Sequence, residues 1–249
     1  MHQQPVKDPW IAFHKARPNA RMRLFCLPFA GGGAITYRDW PNEMPAEVEV
    51  MPIQLPGRER RLREAAYTRM EPLVDALDAA LAPYLDKPFA IFGHSMGAAI
   101  GHEWTRRLKQ AHGLAPVSLL VSARRAPHIS SEDKYYLLPD GEFREHLREM
   151  NGTPGEVLAN PELMELLLPL LRADFELNDT HEPALQPLLD CPVSVYGGLE
   201  DAEISRSDLT AWEDTTTGSY RLRMFEGDHF FLNAGRAAVL EAVVEDLLG

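Results

Sequence analysis

Residues 93–97 read Gly-His-Ser-Met-Gly, so a serine stands between two glycines at fixed spacing. An apolar run precedes this pattern, and a segment with helical periodicity follows it. A sharp strand-to-helix turn of this kind lifts the serine hydroxyl above the sheet, and the glycines avoid clashes with neighbouring backbone. Free N–H groups at the start of the helix can stabilise negative charge. The spacing therefore predicts that Ser95 is a nucleophile.

A serine nucleophile needs a base, and His229 is the best candidate. It stands in Glu-Gly-Asp-His-Phe-Phe, directly after the last predicted strand, where a loop can hold the imidazole over the sheet edge. His94 adjoins the nucleophile, but its side chain is expected to point elsewhere in such a turn. His102 and Glu103 begin a zinc-protease pattern, but the fifth residue is Arg106, so no metal site is expected.

An imidazole base needs a carboxylate to orient it, and Asp201 follows a predicted strand within Gly-Gly-Leu-Glu-Asp. The chain order serine, aspartate, histidine is the one expected for an α/β-hydrolase. The proposed task of Asp201 is to fix the tautomer of His229 and to stabilise the imidazolium, without taking the proton. The rival acids are Glu200, Glu203 and Asp228.

The oxyanion formed in acyl transfer is expected to rest on two backbone N–H groups. One should belong to Met96, and the other to the loop Leu-Pro-Phe-Ala-Gly-Gly-Gly-Ala at 27–34, whose glycines let backbone approach a ligand closely. We expect Ala30 to be the second donor, with Phe29 as the alternative. The loop does not fit a dinucleotide-binding fingerprint, because Thr36 occupies the third glycine position.

The elements that must position these residues alternate along the chain, which predicts an α/β fold with a mostly parallel central sheet and flanking helices. The strand candidates are 22–28, 48–54, 89–93, 117–122, 193–197 and 220–225. The helix candidates are 70–85, 96–110, 140–150, 161–177 and 235–248. Residues 1–20, which are polar and contain three prolines, are expected to form a surface arm.

The alternation breaks between Ser122 and Cys191, where helices but no strand are predicted. The segment 161–177 is apolar around more than one face. Two interpretations remain open for it. It is either a helix buried in the main core, or part of a lid over the sheet edge whose inner face lines an apolar chamber.

Composition excludes several classes of protein. The chain has 249 residues, of which 45% are hydrophobic and 25% charged, so it is neither disordered nor of low complexity, and one domain over 1–249 is expected. Its net charge of −12 argues against nucleic-acid binding. No apolar run approaches a membrane span and no signal peptide is visible. Cys26 and Cys191 are expected to be buried reduced thiols of a cytoplasmic protein.

The net charge hides a split, because residues 1–129 carry 17 basic and 12 acidic side chains whereas residues 130–249 carry 8 and 25. Loops that follow parallel strands gather at one edge of the sheet. Arginines in two such loops are therefore either a basic rim around the site or ordinary solvated side chains. The arginines concerned are Arg58, Arg60, Arg61 and Arg63 after the second strand, and Arg124 and Arg125 after the fourth.

The ordered set of motifs resembles the type II thioesterases of polyketide and nonribosomal peptide synthesis. The motifs are LPFAGGGA, LPGRERR, GHSMGA, SARRAP, GGLED and GDHFF, and the resemblance extends over residues 22–248. Each motif alone is common among hydrolases, whereas the ordered set is specific.

The resemblance implies a free-standing editing hydrolase. Such an enzyme removes unwanted acyl groups from the phosphopantetheine arm of acyl or peptidyl carrier-protein domains. It implies nucleophile, acid and base at Ser95, Asp201 and His229, a helical lid at about 125–185, and no cofactor. The basic rim would then be a docking surface for acidic carrier proteins, and a monomer is the default expectation. The alternatives are a small-molecule esterase or lipase, and a binding protein that has lost catalysis.

Overall fold

The computed structural model describes residues 8–129, 133–150, 152 and 155–249. Within them, six strands form one parallel sheet in the order β2-β1-β3-β4-β5-β6. The strands are β1 Met22–Leu27, β2 Val48–Pro52, β3 Phe89–His94, β4 Ser118–Ser122, β5 Val193–Gly198 and β6 Tyr220–Phe225. The predicted α/β fold and all six predicted strands are confirmed, with small differences at the strand ends.

Helices connect the strands, and every helix predicted from periodicity is present. They are α1 Trp40–Glu43, α2 Met70–Leu81, α3 Met96–His112, α4 Asp140–Glu149, α5 Gly155–Leu158, α6 Pro161–Asp179, α7 Arg206–Thr210, α8 Phe231–Ala234 and α9 Arg236–Leu248. No helix within the described residues is long and apolar enough to cross a bilayer.

Two apolar cores lie on opposite faces of the sheet, because successive residues of a strand point to opposite faces. Phe25 of β1 and Ile91 of β3 belong to the core shared with α2 and α3. Their neighbours Leu24 and Phe92 belong to the core shared with α9. The sheet is therefore covered on both sides, and its functional groups must lie at an edge.

The segment before β1 is more than a surface arm. Trp10 is buried, and its carbonyl oxygen accepts a hydrogen bond from the backbone N–H of Gln54 at 2.7 Å. Ile11 forms an antiparallel bridge with Ile53. This segment covers edge strand β2, whose backbone would otherwise be open to pairing with another chain. The rest of the predicted arm, residues 1–7, lies outside the described residues.

The chain between β4 and β5 folds into α4, α5 and α6, which we call the α4–α6 region. These helices pack around their own apolar cluster, which includes Phe143, Leu147, Met164 and Phe175. Leu166 of α6 is 55% exposed, and α6 reaches the core shared with α2 and α3 through Leu177, near its end, whereas its other clustered apolar residues belong to this separate cluster. This arrangement favours the interpretation in which α6 covers a chamber.

Candidate active site

Ser95 lies on a sharp turn between β3 and α3. Its backbone has φ 53° and ψ −112°, a strained conformation for a residue with a side chain. A Cβ atom at Gly93 would lie 2.1 Å from the carbonyl oxygen of Gly97, and one at Gly97 would lie 2.2 Å from that of Leu27. The N–H of Ser95 donates to the carbonyl of Ser122 at 2.8 Å. Both glycines are therefore needed for this turn, as the sequence pattern predicts.

His229 and Asp201 form a buried pair beside this turn. Nδ1 of His229 and Oδ2 of Asp201 are 2.9 Å apart, and the other oxygen of Asp201 accepts from the N–H groups of Glu203 and Ile204 at 2.9 and 3.1 Å. Burial alone would raise the pKa of Asp201, but these hydrogen bonds and the charge of His229 outweigh burial and hold that pKa below its ordinary value. Asp201 is therefore a carboxylate at neutral pH, as its proposed orienting role requires.

The remaining candidates for acid and base are placed differently. Nδ1 of His94 is 2.8 Å from Oγ of Ser122, and burial holds the pKa of His94 well below its usual range, so this imidazole is neutral. Its ring packs edge-on against that of His229, with centroids 5.4 Å apart. Glu200 is exposed, and Glu203 contributes its N–H to Asp201. Asp201 is the candidate carboxylate that contacts the imidazole of His229, at 2.9 Å.

Residues Phe29 to Gly32 form a tight turn beside the serine. The N–H of Gly32 donates to the carbonyl of Phe29 at 2.9 Å, and Gly31 has φ +74° at the third position, the geometry of a type II turn. Ala30, at the second position, lines the same cavity as Ser95 and Met96. Phe29 instead packs its ring against that of Phe230. The turn therefore places Ala30, the predicted second oxyanion donor, at the cavity wall with Ser95 and Met96.

A cavity of about 810 Å³ opens at this edge of the sheet, lined by Ser95 and His229. Nε2 of His229 is buried and has no hydrogen-bond partner among the described residues. It is the nitrogen that a base would use, since Nδ1 is held by Asp201. Within the described residues, no cluster of histidine, cysteine and carboxylate side chains could hold a metal.

The expectation of a continuous basic rim is wrong for Arg58 and Arg61. The side chain of Arg58 is 5% exposed and forms two hydrogen bonds with the carboxylate of Asp174, at 2.7 and 2.8 Å. Arg61 is buried against the ring of Trp10, 4.4 Å from its centroid, and binds Glu64 at 2.6 Å. Arg58 is held inward by a buried carboxylate and Arg61 by Trp10 and the carbonyl of Gln54, so neither guanidinium is free for docking.

The other arginines divide into two groups. Arg60 and Arg63 are exposed on the loop after β2. Arg124 and Arg125 are half-buried and line the cavity. Arg124 donates to Oδ1 of Asn178 at 2.6 Å. Burial and the charge of Arg125 lower the pKa of Arg124 to about 10, so it remains cationic at neutral pH.

Sequence reasoning missed the polar far wall of the cavity. His181, which lines the cavity, lies 3.3 Å from Oε1 of Glu103, and Nδ1 of His102 is 3.0 Å from the same oxygen. Burial would raise the pKa of Glu103, but these two partners lower it to about 2. It also missed Asp174, whose signal was a lone aspartate among the leucines of the 161–177 segment.

Comparison with known proteins agrees with this geometry. The family described as Thioesterase domain matches residues 22–247. Gramicidin S biosynthesis protein GrsT of Aneurinibacillus migulanus is 39% identical over 241 residues, covering 96% of this chain and 94% of that protein.

Two solved structures are similarly close. The type II thioesterase BorB from the borrelidin biosynthetic cluster has a TM-score of 0.88 at 34% identity and covers 98% of this chain and 100% of its own. YbtT, a type II thioesterase from the yersiniabactin NRPS/PKS biosynthetic pathway, has a TM-score of 0.86 at 31% identity. The match covers 96% of this chain and 97% of the YbtT chain.

These similarities extend over nearly the whole chain, so they do not depend on any single motif. They confirm the resemblance stated from the six motifs, and the shared fold confirms the α/β-hydrolase class. The chain belongs to the thioesterase domain family and is a type II thioesterase of the kind found with nonribosomal peptide synthetases and polyketide synthases.

Proposed function

We propose that this thioesterase releases acyl groups from the phosphopantetheine arm of carrier proteins through a triad of Ser95, His229 and Asp201. One observation carries the proposal: Ser95 and His229 line the same cavity, and His229 is held by the buried carboxylate of Asp201. The family membership gives the reaction class, and the geometry supports these three residues as the ones that perform it.

The reaction proceeds in two halves. Nε2 of His229 takes the proton of the Ser95 hydroxyl while Oγ attacks the thioester carbonyl carbon. The oxyanion accepts hydrogen bonds from the N–H groups of Met96 and Ala30. The C–S bond then breaks, the proton on His229 passes to the leaving thiolate, and an acyl-serine remains. Water deprotonated by His229 attacks that ester, releasing the carboxylic acid and restoring Ser95.

The α4–α6 region is the proposed lid, within the range 125–185 expected from the resemblance. Phe175 and Asn178 of α6 line the cavity, and the apolar cluster beneath them keeps the three helices together. An acyl chain bound below this region would be shielded from bulk water until hydrolysis.

Carrier docking is proposed at the mouth of the cavity. Arg60 and Arg63 are exposed on the loop after β2, and Arg124 and Arg125 line the cavity. Cationic groups in these places suit an acidic carrier domain and the phosphodiester of its arm. Because both cysteines are buried free thiols, a reducing compartment such as the cytoplasm is the proposed location.

The test is a comparison of two substrates that carry the same acyl group. One is an acylated carrier protein and the other is the matching small oxyester. The proposal predicts a much larger kcat/KM for the carrier thioester. Equal or greater activity on the oxyester would instead indicate a general esterase, the alternative weighed from the sequence.

A further inference from the structure

Asp174 of α6 joins three parts of the molecule that are distant in sequence. Its Oδ2 accepts hydrogen bonds from the backbone N–H of Gly31 at 2.7 Å and from Nη1 of Arg58 at 2.8 Å, and its Oδ1 accepts from Nη2 of Arg58 at 2.7 Å. Nη1 of Arg58 also donates to the carbonyl of Gly32 at 2.9 Å. The ion pair thus binds the N–H of Gly31 and the carbonyl of Gly32, both of which belong to the turn that contains Ala30.

We propose that the Arg58–Asp174 pair is a positioning device that sets the N–H of Ala30 for catalysis and makes its placement depend on α6. The proposal rests on the function given to Ala30 above. Neither Arg58 nor Asp174 lines the cavity, so the pair acts through the turn rather than on the substrate.

Packing makes the same connection as the hydrogen bonds. Gly31 adopts φ +74°, and a Cβ atom there would lie 2.5 Å from Cδ2 of Leu171, one turn before Asp174 on α6. Phe175, next to Asp174, lines the cavity. One stretch of α6 therefore contacts both the turn and the substrate chamber. A shift of α6 must then either move the N–H of Gly31 or break its hydrogen bond to Asp174.

Charge explains why the carboxylate is paired. A lone buried carboxylate that binds the N–H of Gly31, the residue after the proposed oxyanion donor Ala30, would oppose the negative charge that develops in the transition state. The bidentate guanidinium neutralises it while leaving one oxygen able to hold Gly31. The pair can therefore fix the turn without opposing the oxyanion.

Asp246 offers a matched control on the other side of the sheet. Its side chain is 1% exposed and binds Arg221 and Arg223, each at 2.7 Å, and the hydroxyl of Tyr196 at 2.6 Å. Asp246→Asn removes a buried, arginine-paired carboxylate, as Asp174→Asn does, but at a place that does not contact the turn.

The experiment measures kcat, KM and the affinity for an acyl trifluoromethyl ketone, which forms a tetrahedral adduct with a serine. For Asp174→Asn we expect kcat to fall about 10- to 100-fold with KM nearly unchanged, and the ketone affinity to fall in parallel. Asp246→Asn should leave kcat and the ketone affinity within about twofold of the wild-type values, even if its Tm falls as much as that of Asp174→Asn. Arg58→Lys keeps the charge but loses the bidentate contact, so it should show a smaller kcat loss and serves as the test if Asp174→Asn does not fold.

Unchanged kcat in folded Asp174→Asn or Arg58→Lys would overturn the inference, as would a kcat loss without a loss of ketone affinity. An equal kcat loss in Asp246→Asn would also overturn it, because general destabilisation would then suffice. Failure of the proposed function would be seen separately, as a wild-type enzyme that does not release acyl groups from carriers or does not react at Ser95.

Discussion

Two loops at the same edge of the sheet carry arginines, and the structure uses them differently. The loop after β2 turns Arg58 inward onto the carboxylate of Asp174 and Arg61 onto the ring of Trp10, and it leaves Arg60 and Arg63 exposed. The loop after β4 directs Arg124 and its neighbour into the cavity. From sequence alone, both loops allow the same two interpretations, a basic rim around the site or ordinary solvated side chains.

The difference teaches that a loop's position does not decide what its arginines do. Arg58 is buried because Asp174 satisfies its guanidinium, and a buried charge is tolerated only when it is paired and hydrogen-bonded. Arg124 instead donates to a neutral amide, the Oδ1 of Asn178, at 2.6 Å. A cavity-facing cation that keeps its charge is suited to an anionic or polar substrate group.

The largest expected effect separates two arginines of the same loop. Arg58→Met should lower the free energy of unfolding by about 3–5 kcal/mol, because it leaves the carboxylate of Asp174 buried without its partner. Arg63→Met, an exposed control, should change it by no more than about 0.5 kcal/mol. Urea unfolding of both variants is the measurement. Similar small losses would mean that Arg58 is not a structural residue.

Glu103, which lies behind His181 of the cavity wall, tests whether a buried carboxylate also depends on its partners. Glu103→Gln should cost about 1–3 kcal/mol at pH 7, because the pKa of Glu103 is lowered from 4.5 to about 2 by its histidine partners. A depressed pKa contributes stability above the unfolded-state value, and this contribution disappears as the pH falls from about 4.5 towards 2. The stability difference between variant and wild type should therefore shrink over that range. A pH-independent difference in urea unfolding would contradict this.

Arg124 should matter for any substrate that enters the cavity. Arg124→Gln is expected to lower kcat/KM about tenfold for both an acylated carrier protein and free acyl-phosphopantetheine, since each must pass the same wall. Steady-state kinetics on the two substrates make the comparison. A loss confined to the carrier protein would mean that Arg124 contacts the carrier domain itself and not the phosphopantetheine arm.

Arg60 should show the opposite pattern and the smallest effect. Arg60→Glu is expected to raise KM for the carrier protein about three- to tenfold and to leave free acyl-phosphopantetheine unaffected, because an exposed charge acts on the approaching partner. Added salt should reduce the difference. If both substrates suffer equally, the exposed arginines are not a docking surface.

The residues that perform local tasks could be predicted from the sequence. The Gly-His-Ser-Met-Gly turn is recognisable within five residues, and Gly93 and Gly97 fit closely against Gly97 and Leu27, as that pattern requires. Six apolar runs predicted six strands, because both faces of the sheet are buried. The order of Ser95, Asp201 and His229 predicted a pair that the structure brings to 2.9 Å.

The remaining features depend on contacts between distant residues. Arg58 and Asp174 are 116 positions apart, and nothing near either residue indicates the other. The contact between His181 and Glu103 could not be predicted either, because it joins the segment after α6 to α3, which are distant in sequence. For this reason sequence reasoning placed Arg58 and Arg61 on the surface and overlooked the residues that hold them.

Substitution of the nucleophile tests the central claim most directly. Ser95→Ala removes only Oγ, and the turn and the His229–Asp201 pair do not depend on that atom. With an acylated carrier protein, the variant should lose at least about 10³-fold in kcat while keeping the Tm of the wild type. A folded Ser95→Ala protein that still releases the acyl group at near the wild-type rate would contradict the assignment of Ser95 as nucleophile.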